Sequence, residues 1–410
     1  KEMSKDIKEM NKKLVKKLKI VAIILIIILI GEIIFIGYHH LFEKKKSVYF
    51  EGINAVVSNN EYYAAVGSNN DNDMHYEKAK ISFYNMKKEK TYEKIYNVGF
   101  NSAFFGVILD GSDVVCVGSY EKTDEDRNNS VRKALLVKYD KLGNVVFEKD
   151  LSILDNSKFT SIVKYGDYYY VTGQSVYKST KIGSEAGGAL IAKYDKDGNL
   201  VWSKTYGSSK SGIYNDLIIE DDYIYVVGND ENYLGILCKY NLDGELVEYN
   251  DYKSTDNIGF SGIVSYNGRI YISGANRNGN DLTDAMIVMY TMDCKYIKQV
   301  TYDAKGTERF NKLILDDDNN IIAIGTMYTV RKHNHNTVDE YNYDGIIAKY
   351  DSDLVEKDVV TYGDERDDYF TDVMLINNKY VVSSYSSYED GSYMSKFVSY
   401  SKALKVLEVE

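Results

Sequence analysis

A short phrase recurs along this chain, and its recurrence constrains the fold more than any other feature. "LLVKYDKLGNVVF" at 135–147 and "LIAKYDKDGNLVW" at 190–202 each place an apolar run and a tyrosine before a glycine turn. The same tyrosine marks seven copies: Tyr84, Tyr139, Tyr194, Tyr240, Tyr290, Tyr350 and Tyr400. Repeats of this length indicate a fold built from stacked or radially arranged units.

A second marker gives the same count of seven. Upstream of each tyrosine, a run rich in strand-forming residues ends in glycine in six copies and in Ser384 in the seventh. The six glycines are Gly67, Gly118, Gly173, Gly228, Gly274 and Gly325. A bulky residue precedes each marker by fourteen or fifteen positions: Ile53, Phe104, Phe159, Tyr214, Phe260, Phe310 and Phe370.

Each repeat contains the pattern of four strands. "FSGIVSY", the turn "NG" and "RIYISG" form an Asn-Gly hairpin signal. A polar loop, the tyrosine strand, a tight turn and a last strand follow. The sequence therefore predicts an all-β protein, a seven-bladed β-propeller of four-stranded antiparallel blades over residues 48–410. We expect the repeat tyrosines to pack between neighbouring blades. A parallel solenoid is the alternative, but its repeats are shorter and lack these hairpins.

The phrase resembles the bacterial β-propeller repeat of the SBBP type, most closely in the second and third copies. Copies one, five, six and seven lack the turn glycine, so their assignment depends on spacing and strand pattern. The resemblance implies a propeller fold in an extracytoplasmic setting and fixes no reaction. The sequence leaves open which end of the chain supplies the outer strand of the last blade.

The N-terminal region has the pattern of a membrane anchor. Residues 20–38, "IVAIILIIILIGEIIFIGY", carry one charge over nineteen positions, and about twenty apolar residues cross a bilayer as a helix. Residues 1–19 are predicted to be a basic, amphipathic cytoplasmic segment, and residues 39–47 a short linker. Eight lysines precede the apolar segment, so the N-terminus is expected in the cytoplasm and the propeller outside it, in a single-pass cell-membrane protein.

The charge distribution excludes nucleic acid as a partner. Residues 1–46 hold eleven lysines and five acidic residues, which gives +6. The whole chain carries −11, so residues 47–410 carry −17. A body this acidic repels the phosphate backbone. Its expected partner is instead an extracytoplasmic protein or glycan, while residues 20–38 contact the membrane.

Any binding site is expected on one face of the propeller. The long loops join the second strand of a blade to the third, and the connections between blades reach the same face, which we call the long-loop face. Loops carry function more often than scaffolds do. The candidate binding residues in these loops are Tyr76, Tyr120, Tyr328, Tyr341, Asp364, Asp367 and Asp368. The tyrosines are expected to be exposed, and a solvated acidic rim is the ordinary interpretation of the three aspartates.

The metal-binding signals are weaker. His333 and His335, near two acidic residues in the longest loop, have ligand types that suit a transition metal, although a polar loop is the ordinary explanation. Acidic residues at 71–73 and 316–318 could bind calcium, but the second group falls in a predicted hairpin turn. No cofactor is expected, and calcium or a transition metal is the less favoured alternative. Three scattered cysteines cannot form a disulfide framework, and we expect Cys116 and Cys238 to be buried.

No sequence motif identifies a reaction. The chain has no phosphate-binding glycine loop, no zinc-protease helix and no strand-elbow serine, and only Trp202 occupies the aromatic position that quinone-dependent propellers repeat. The favoured hypothesis is a membrane-anchored, non-catalytic propeller that binds a protein or glycan through its long-loop face. The alternatives are a propeller enzyme, a glycan lyase or hydrolase with its site at the channel mouth, and a structural subunit of an envelope assembly.

Overall fold

The computed structural model describes residues 50–410, apart from residue 60 and the segments 71–75, 124–129, 152–155, 179–184, 208–211, 231, 253–258, 278–281, 305, 332–339, 364–365 and 389–391. It describes only the backbone of residues 50, 123, 176–178, 185–187, 329–331, 340 and 341. Contacts divide the chain into Lys1–Val48 and Tyr49–Glu410, and every described residue belongs to the second unit. The predicted segments 1–19, 20–38 and 39–47 thus lie outside the described residues, among which no helix could span a membrane.

The described strands follow one another in groups of four along the chain. In chain order they are β1 (Phe50–Ser58), β2 (Tyr63–Asn70), β3 (Glu77–Tyr84) and β4 (Lys90–Ile95) in blade 1; β5 (Phe100–Asp110), β6 (Asp113–Thr123), β7 (Ser130–Tyr139) and β8 (Val145–Asp150) in blade 2; β9 (Ser157–Tyr165), β10 (Tyr168–Lys178), β11 (Glu185–Asp195) and β12 (Leu200–Tyr206) in blade 3; β13 (Ile213–Glu220), β14 (Tyr223–Asn229), β15 (Gly235–Asn241) and β16 (Leu246–Asp251) in blade 4; β17 (Phe260–Tyr266), β18 (Arg269–Arg277), β19 (Thr283–Thr291) and β20 (Tyr296–Tyr302) in blade 5; β21 (Thr307–Leu315), β22 (Ile321–Arg331), β23 (Glu340–Tyr350) and β24 (Glu356–Tyr362) in blade 6; and β25 (Asp368–Ile376), β26 (Lys379–Ser387), β27 (Tyr393–Ser401) and β28 (Val406–Val409) in blade 7.

These strands confirm the predicted all-β, seven-bladed propeller. Within each blade the strands pair antiparallel in sequence order. The first strands of successive blades contact one another in a ring, from β1 through β5, β9, β13, β17, β21 and β25 back to β1. They surround the central channel, and the fourth strands form the rim.

Seven apolar cores lie between neighbouring blades, and each contains one of the repeat tyrosines. Tyr194, for example, packs edge-on against Phe159, with ring centroids 6.0 Å apart, in the core between blades 2 and 3. All seven tyrosines are buried. The prediction that they pack between blades is therefore confirmed, and the recurring phrase is architectural.

The glycine marker lies opposite the bulky marker in every inner hairpin. Phe104 pairs with Gly118, Phe310 with Gly325, and Phe370 with Ser384. The register of the inner strand shifts next to this pair in all seven blades, which indicates a β-bulge. Both sequence markers thus record one backbone feature of the channel wall.

The tight turn between the third and fourth strands is the same with or without glycine. Gly143, Gly198 and Gly244 have positive φ angles there. In the copies that lack glycine, the same place is taken by Lys88 (φ 64°), Cys294 (φ 55°), Leu354 (φ 56°) and Leu404 (φ 50°). Most side chains adopt this backbone region with difficulty. The shared turn confirms the assignment of the four divergent copies.

The ring closes without exchange of strands between the ends of the chain. β28, at the C-terminus, is the outer strand of blade 7, and β1 is the inner strand of blade 1. The blades meet through one backbone bridge between Phe50 and Tyr393. The backbone N–H of Val56 also donates to Oδ2 of Asp372 at 2.9 Å, and Tyr84 packs edge-on against Phe397. β1 begins on the long-loop face.

Candidate functional site

The inner strands enclose a channel with a cavity volume of about 380 Å³, lined by residues from all seven blades. One residue of each bulge contributes to this lining. These residues are Asn54, Phe105, Thr160, Asn215, Ser261, Asn311 and Thr371. Most of them are polar, so the described part of the channel presents a hydrophilic wall.

Asp216, Lys312 and Asp372 supply the charge in the described channel lining. The ammonium of Lys312 donates to Oδ2 of Asp216 at 2.9 Å, and the Ser161 hydroxyl donates to Oδ1 of Asp216 at 2.7 Å. Burial lowers the pKa of Lys312, but attraction from Asp216 and Asp372 outweighs burial and raises that pKa.

The second channel carboxylate is also engaged in the channel wall. The N–H groups of Val56 and Val373 donate to the two oxygens of Asp372, each at 2.9 Å. Burial raises the pKa of Asp372. Both carboxylates in the described lining therefore connect strands of different blades, and Asp372 also bonds to its own inner strand. This arrangement stabilises the ring.

A row of five tyrosines lies on the long-loop face of blades 6 and 7. We call it the tyrosine row, and its members are Tyr328, Tyr343, Tyr369, Tyr385 and Tyr393. Tyr328 pairs with Tyr343 across β22 and β23, and Tyr369 pairs with Tyr385 across β25 and β26. Direct cross-strand partners lie close enough for their aromatic rings to touch.

Ring contacts join these two pairs across the boundary between the blades. The centroids of Tyr328 and Tyr343 are 4.8 Å apart, and those of Tyr369 and Tyr385 are also 4.8 Å apart. Tyr343 and Tyr369 connect the pairs at 5.1 Å, and Tyr393 extends the row from Tyr385 at 6.0 Å. The result is one continuous aromatic surface.

Exposed aromatic residues lie in and beside the tyrosine row. Tyr343 is 36% exposed and Tyr388 is 38% exposed. The guanidinium of Arg366 lies 5.0 Å from the ring centroid of Tyr388. Burial, with added repulsion from Asp367, raises the pKa of Tyr369, so its phenol stays neutral over the ordinary pH range.

Three of the predicted binding residues meet at this place. Tyr328 belongs to the row, and Oδ1 of Asp367 accepts a hydrogen bond from the backbone N–H of Tyr343 at 3.0 Å. Asp368 is buried below the row, with its Oδ1 2.6 Å from the ammonium of Lys396. The interpretation of Asp368 as part of a solvated acidic rim is therefore wrong, because its strand position points the carboxylate into the blade.

The other predicted tyrosines do not join the row. Tyr76 is exposed, as expected, and packs beside Phe100 near the start of blade 2. The expectation that Tyr120 is exposed is wrong: it is buried between blades 1 and 2, and its hydroxyl donates to Oδ2 of Asp150 at 2.8 Å. It belongs to strand β6 rather than to the loop that follows.

Several predicted residues fall where the structure gives no side-chain position. His333, His335 and Asp364 lie outside the described residues, and only the backbone of Tyr341 is described. The acidic residues at 71–73 also lie outside the described part. The metal prediction for the two histidines therefore stays a prediction.

The acidic group at 316–318 forms a hairpin turn, as expected. Oδ1 of Asp316 accepts the backbone N–H groups of Asp318 and Asn320, at 2.9 and 2.8 Å. Lys402 forms ion pairs with Asp317 and Asp318. Internal groups thus account for the charge of this cluster.

Sequence reasoning missed the tyrosine row because forty tyrosines are spread over the whole chain. A signal was present, however. The residue before the bulky marker is Tyr369 in blade 7, whereas the other blades have Gly52, Ala103, Lys158, Ile213, Gly259 and Arg309 there. A tyrosine that appears in one repeat alone points to a local function.

A second concave surface lies between the rims of blades 4 and 5. Its volume is about 600 Å³, and Tyr249, Tyr252, Tyr290 and Tyr296 line it. The hydroxyl of Tyr252 contacts Gln299, and the side-chain amide of Asn250 donates to the carbonyl oxygen of Cys294 at 3.0 Å. The side-chain amides of Gln299 and Asn250, which line this concave surface, are thus hydrogen-bonded within the protein.

Comparison with known proteins shows the fold alone. No family model matches the sequence, and no curated protein matches it. A structure of KlAtg21 in complex with the coiled coil of AgAtg16 aligns with a TM-score of 0.51 at 11% identity, over 88% of this chain and 99% of that one. An acylaminoacyl peptidase in complex with a chloromethyl ketone aligns with a TM-score of 0.50 at 11% identity, over 88% of this chain and 53% of that one.

The β-propeller domain of the Trilobed protease from Pyrococcus furiosus, described as having an open velcro topology, is also similar. Its TM-score is 0.47 at 10% identity, over 89% of this chain and 95% of that one. At these identities the likeness shows the fold alone, so the function of this chain has to be argued from its own side chains.

Proposed function

We propose that this protein is a non-catalytic binding module whose tyrosine row recognises a protein partner. The observation that carries the proposal is the continuous aromatic surface across blades 6 and 7. Tyrosine and arginine are enriched in protein interfaces. Both types occur here together, in the row and beside it in Arg366 and Tyr388.

The arrangement of charge supports binding rather than catalysis. The channel carboxylates Asp216 and Asp372 and the buried Asp368 all accept hydrogen bonds or ion pairs from within the propeller. A general acid or base has to reach the proton that it transfers. Carboxylates engaged in this way stabilise the blades, so the enzyme alternative has less support than a binding surface.

The proposal includes a location. The repeat phrase resembles a bacterial extracytoplasmic propeller type, and residues 20–38 have the length and composition of a membrane span. We infer a single-pass membrane protein with its N-terminus in the cytoplasm and its propeller outside. Labelling of intact cells with a membrane-impermeant reagent, after Asp197→Cys is introduced in an exposed turn, tests this orientation. Labelling only after the cells are lysed would contradict it.

Substitution in the row tests the binding function. The double variant Tyr343→Ala/Tyr388→Ala removes the two most exposed rings in and beside the row. Partners are captured by cross-linking the full chain in its own membranes, and are identified by mass spectrometry. We expect the double variant to capture at least about ten-fold less partner than the unaltered chain, since clustered aromatic residues often dominate binding energy.

Tyr233→Ala is the matched control, because this tyrosine is 57% exposed and lies on blade 4, away from the row. It should capture the partner as the unaltered chain does. Equal capture by all three chains would contradict the proposed surface. Recovery of a glycan in place of a protein, with the same dependence on the row, would keep the surface and change the class of partner.

A further inference from the structure

One position of the inner strand is acidic in three blades. It lies two residues before the bulky marker and is occupied by Glu51 in blade 1, Glu308 in blade 6 and Asp368 in blade 7. Their exposed fractions are 8%, 0% and 1%, so each carboxylate is buried. A buried carboxylate is costly unless another group compensates its charge.

Blades 1 and 7 compensate this charge in the same way. In each, a lysine lies directly opposite the Gly67 or Ser384 marker, on the third strand: Lys80 in blade 1 and Lys396 in blade 7. Lys80 pairs with Oε1 of Glu51, and the ammonium of Lys396 lies 2.6 Å from Oδ1 of Asp368. Two blades therefore build an internal counter-ion from one equivalent position.

Blade 6 has no lysine at that position. Ile346 lies opposite Gly325, and it is fully buried in the core between blades 5 and 6. The neighbouring Arg309 directs its guanidinium to the hydroxyl of Ser261, 2.8 Å away. Among the described residues, therefore, none gives Glu308 the cation that Lys80 and Lys396 supply in blades 1 and 7.

Two further carboxylates surround Glu308 instead. Asp284, at the start of β19, and Asp303, just after β20, lie with Glu308 so that one oxygen of each is within 4.8 Å of the others. The N–H of Gly306 donates to Oε1 of Glu308 at 2.9 Å and orients the carboxylate. Oε2 is buried and has no hydrogen-bond partner among the described residues.

The surroundings of Glu308 disfavour its charged form when no cation is bound. Burial, followed by repulsion from Asp284 and Asp303, raises the pKa of Glu308 to about 7. The buried Oε2 of Glu308 is available to a cation, and the equivalent positions in blades 1 and 7 show that the fold accommodates a positive charge there.

We propose that Glu308, Asp284 and Asp303 bind one calcium ion at the junction of blades 5 and 6, on the long-loop face. The ion takes the place that the lysine ammonium has in blades 1 and 7. It joins the end of blade 5 to the first strand of blade 6.

The geometry favours calcium among the common cations. Calcium binds carboxylate oxygens at about 2.3–2.6 Å, so oxygens on opposite sides of one ion are up to about 5 Å apart. The observed limit of 4.8 Å fits this distance. Magnesium binds at about 2.0–2.1 Å and demands a tighter, near-octahedral set, and transition metals prefer nitrogen or sulfur ligands.

Calcium binding can be measured on the full chain in detergent. Calcium chloride is titrated into chelator-treated protein at pH 8, and thermal unfolding is followed by far-UV circular dichroism. We expect a dissociation constant of about 0.1–1 mM, and a midpoint about 3 °C higher in 10 mM calcium than in chelator. The same concentration of magnesium should raise the midpoint less.

Two variants locate the site. Glu308→Gln removes one ligand charge, and the calcium-dependent shift should disappear. Ile346→Lys should also abolish the shift, because it supplies the amine that blades 1 and 7 already have. This second variant still tests the proposal if Glu308→Gln does not fold. Asp317→Asn, in the acidic cluster that Lys402 neutralises, should leave the shift unchanged.

The proposal fails if the unaltered chain shows no calcium-dependent shift, or if Glu308→Gln or Ile346→Lys retains the full shift. A shift that magnesium reproduces in full would overturn the choice of calcium. A binding stoichiometry above one that Glu308→Gln does not reduce would place the calcium elsewhere in the chain.

Discussion

Phe159 and Gly173 lie directly opposite each other in the inner hairpin of blade 3, and the glycine has no room for a side chain. A Cβ atom on Gly173 would lie 1.9 Å from the carbonyl oxygen of Lys158. The same approach recurs at the marker glycines of the other blades, between 1.8 and 2.4 Å. The glycine marker is thus a steric requirement of the inner hairpin in the six blades that carry it.

Gly173→Ala should therefore destabilise the propeller strongly. Relief of the clash requires the bulge to move, and we expect a loss of about 2 kcal/mol or more in the free energy of unfolding. Urea unfolding followed by circular dichroism measures this loss. The variant should also unfold at a lower temperature than the unaltered chain.

Ser384 provides the control, because blade 7 already accommodates a Cβ at the equivalent position. Its hydroxyl is buried and has no hydrogen-bond partner among the described residues. Ser384→Ala removes that unsatisfied group and should change stability by less than about 0.5 kcal/mol, or increase it. A large loss for Ser384→Ala, with none for Gly173→Ala, would contradict the steric argument.

The hydroxyl groups of two buried aromatic residues should differ in importance. The hydroxyl of Tyr194 is buried without a hydrogen-bond partner among the described residues. That of Tyr214 lies 2.7 Å from the hydroxyl of Tyr240 and 3.2 Å from Sγ of Cys238. We expect Tyr214→Phe to lower stability by about 1 kcal/mol and Tyr194→Phe to be neutral or stabilising.

Chemical denaturation of the two variants, measured side by side, tests this difference. Both substitutions delete one oxygen from a fully buried ring in an inter-blade core. The change in packing is therefore matched, and only the hydrogen bonds differ. Equal losses in the two variants would show that packing, rather than hydrogen bonding, determines the cost.

The fold was predictable because each repeat carries two independent markers. The tyrosine phrase records an inter-blade core, and the glycine records the bulged inner hairpin, so divergence of one marker left the other in place. Ring closure was not predictable. It depends on single contacts, such as that between Val56 and Asp372, and these have no periodicity.

The candidate site was only partly predictable, for a related reason. The choice of the long-loop face stays a prediction from loop lengths, and Asp368 looked like a solvated rim residue, because strand β25 begins within an acidic run. The counter-ion of Asp368, Lys396, lies 28 positions further along the chain. The acidic residue is accompanied by a lysine in blades 1 and 7 and by Ile346 in blade 6. This difference can be seen only when the strand registers are known.

The cysteines should be unreactive in the folded protein. Cys116, Cys238 and Cys294 are free thiols with exposed fractions of 0%, 0% and 2%. Burial raises the pKa of Cys238 and of Cys294 to about 12, and that of Cys116 further. The thiolate is the reactive form, so modification requires unfolding.

Mass spectrometry after treatment with a maleimide at pH 7.5 checks this prediction. We expect less than one thiol modified per native chain and three per chain in strong denaturant. Rapid modification of the native protein would show that an inter-blade core opens under these conditions.

Acid should destabilise the junction of blades 2 and 3 through Asp110. Burial raises the pKa of Asp110, but hydrogen bonds from Lys138, Lys164 and Tyr169 outweigh burial and lower that pKa. The ammonium of Lys138 lies 2.7 Å from Oδ2 of Asp110. In the unfolded chain the pKa returns to about 3.9. Because the folded value is the lower one, this stabilisation is complete above the unfolded pKa and is lost as the pH falls towards the folded value.

Asp110→Asn should remove this part of the pH dependence. We expect the variant to be less stable by about 1 kcal/mol at pH 7, and to lose less stability than the unaltered chain between pH 5 and pH 3. Urea midpoints measured across that interval provide the test. Asp197→Asn, in an exposed turn, should keep the unaltered dependence. An acid slope that is the same for Asp110→Asn and the unaltered chain would mean that the cluster between blades 2 and 3 does not control acid stability.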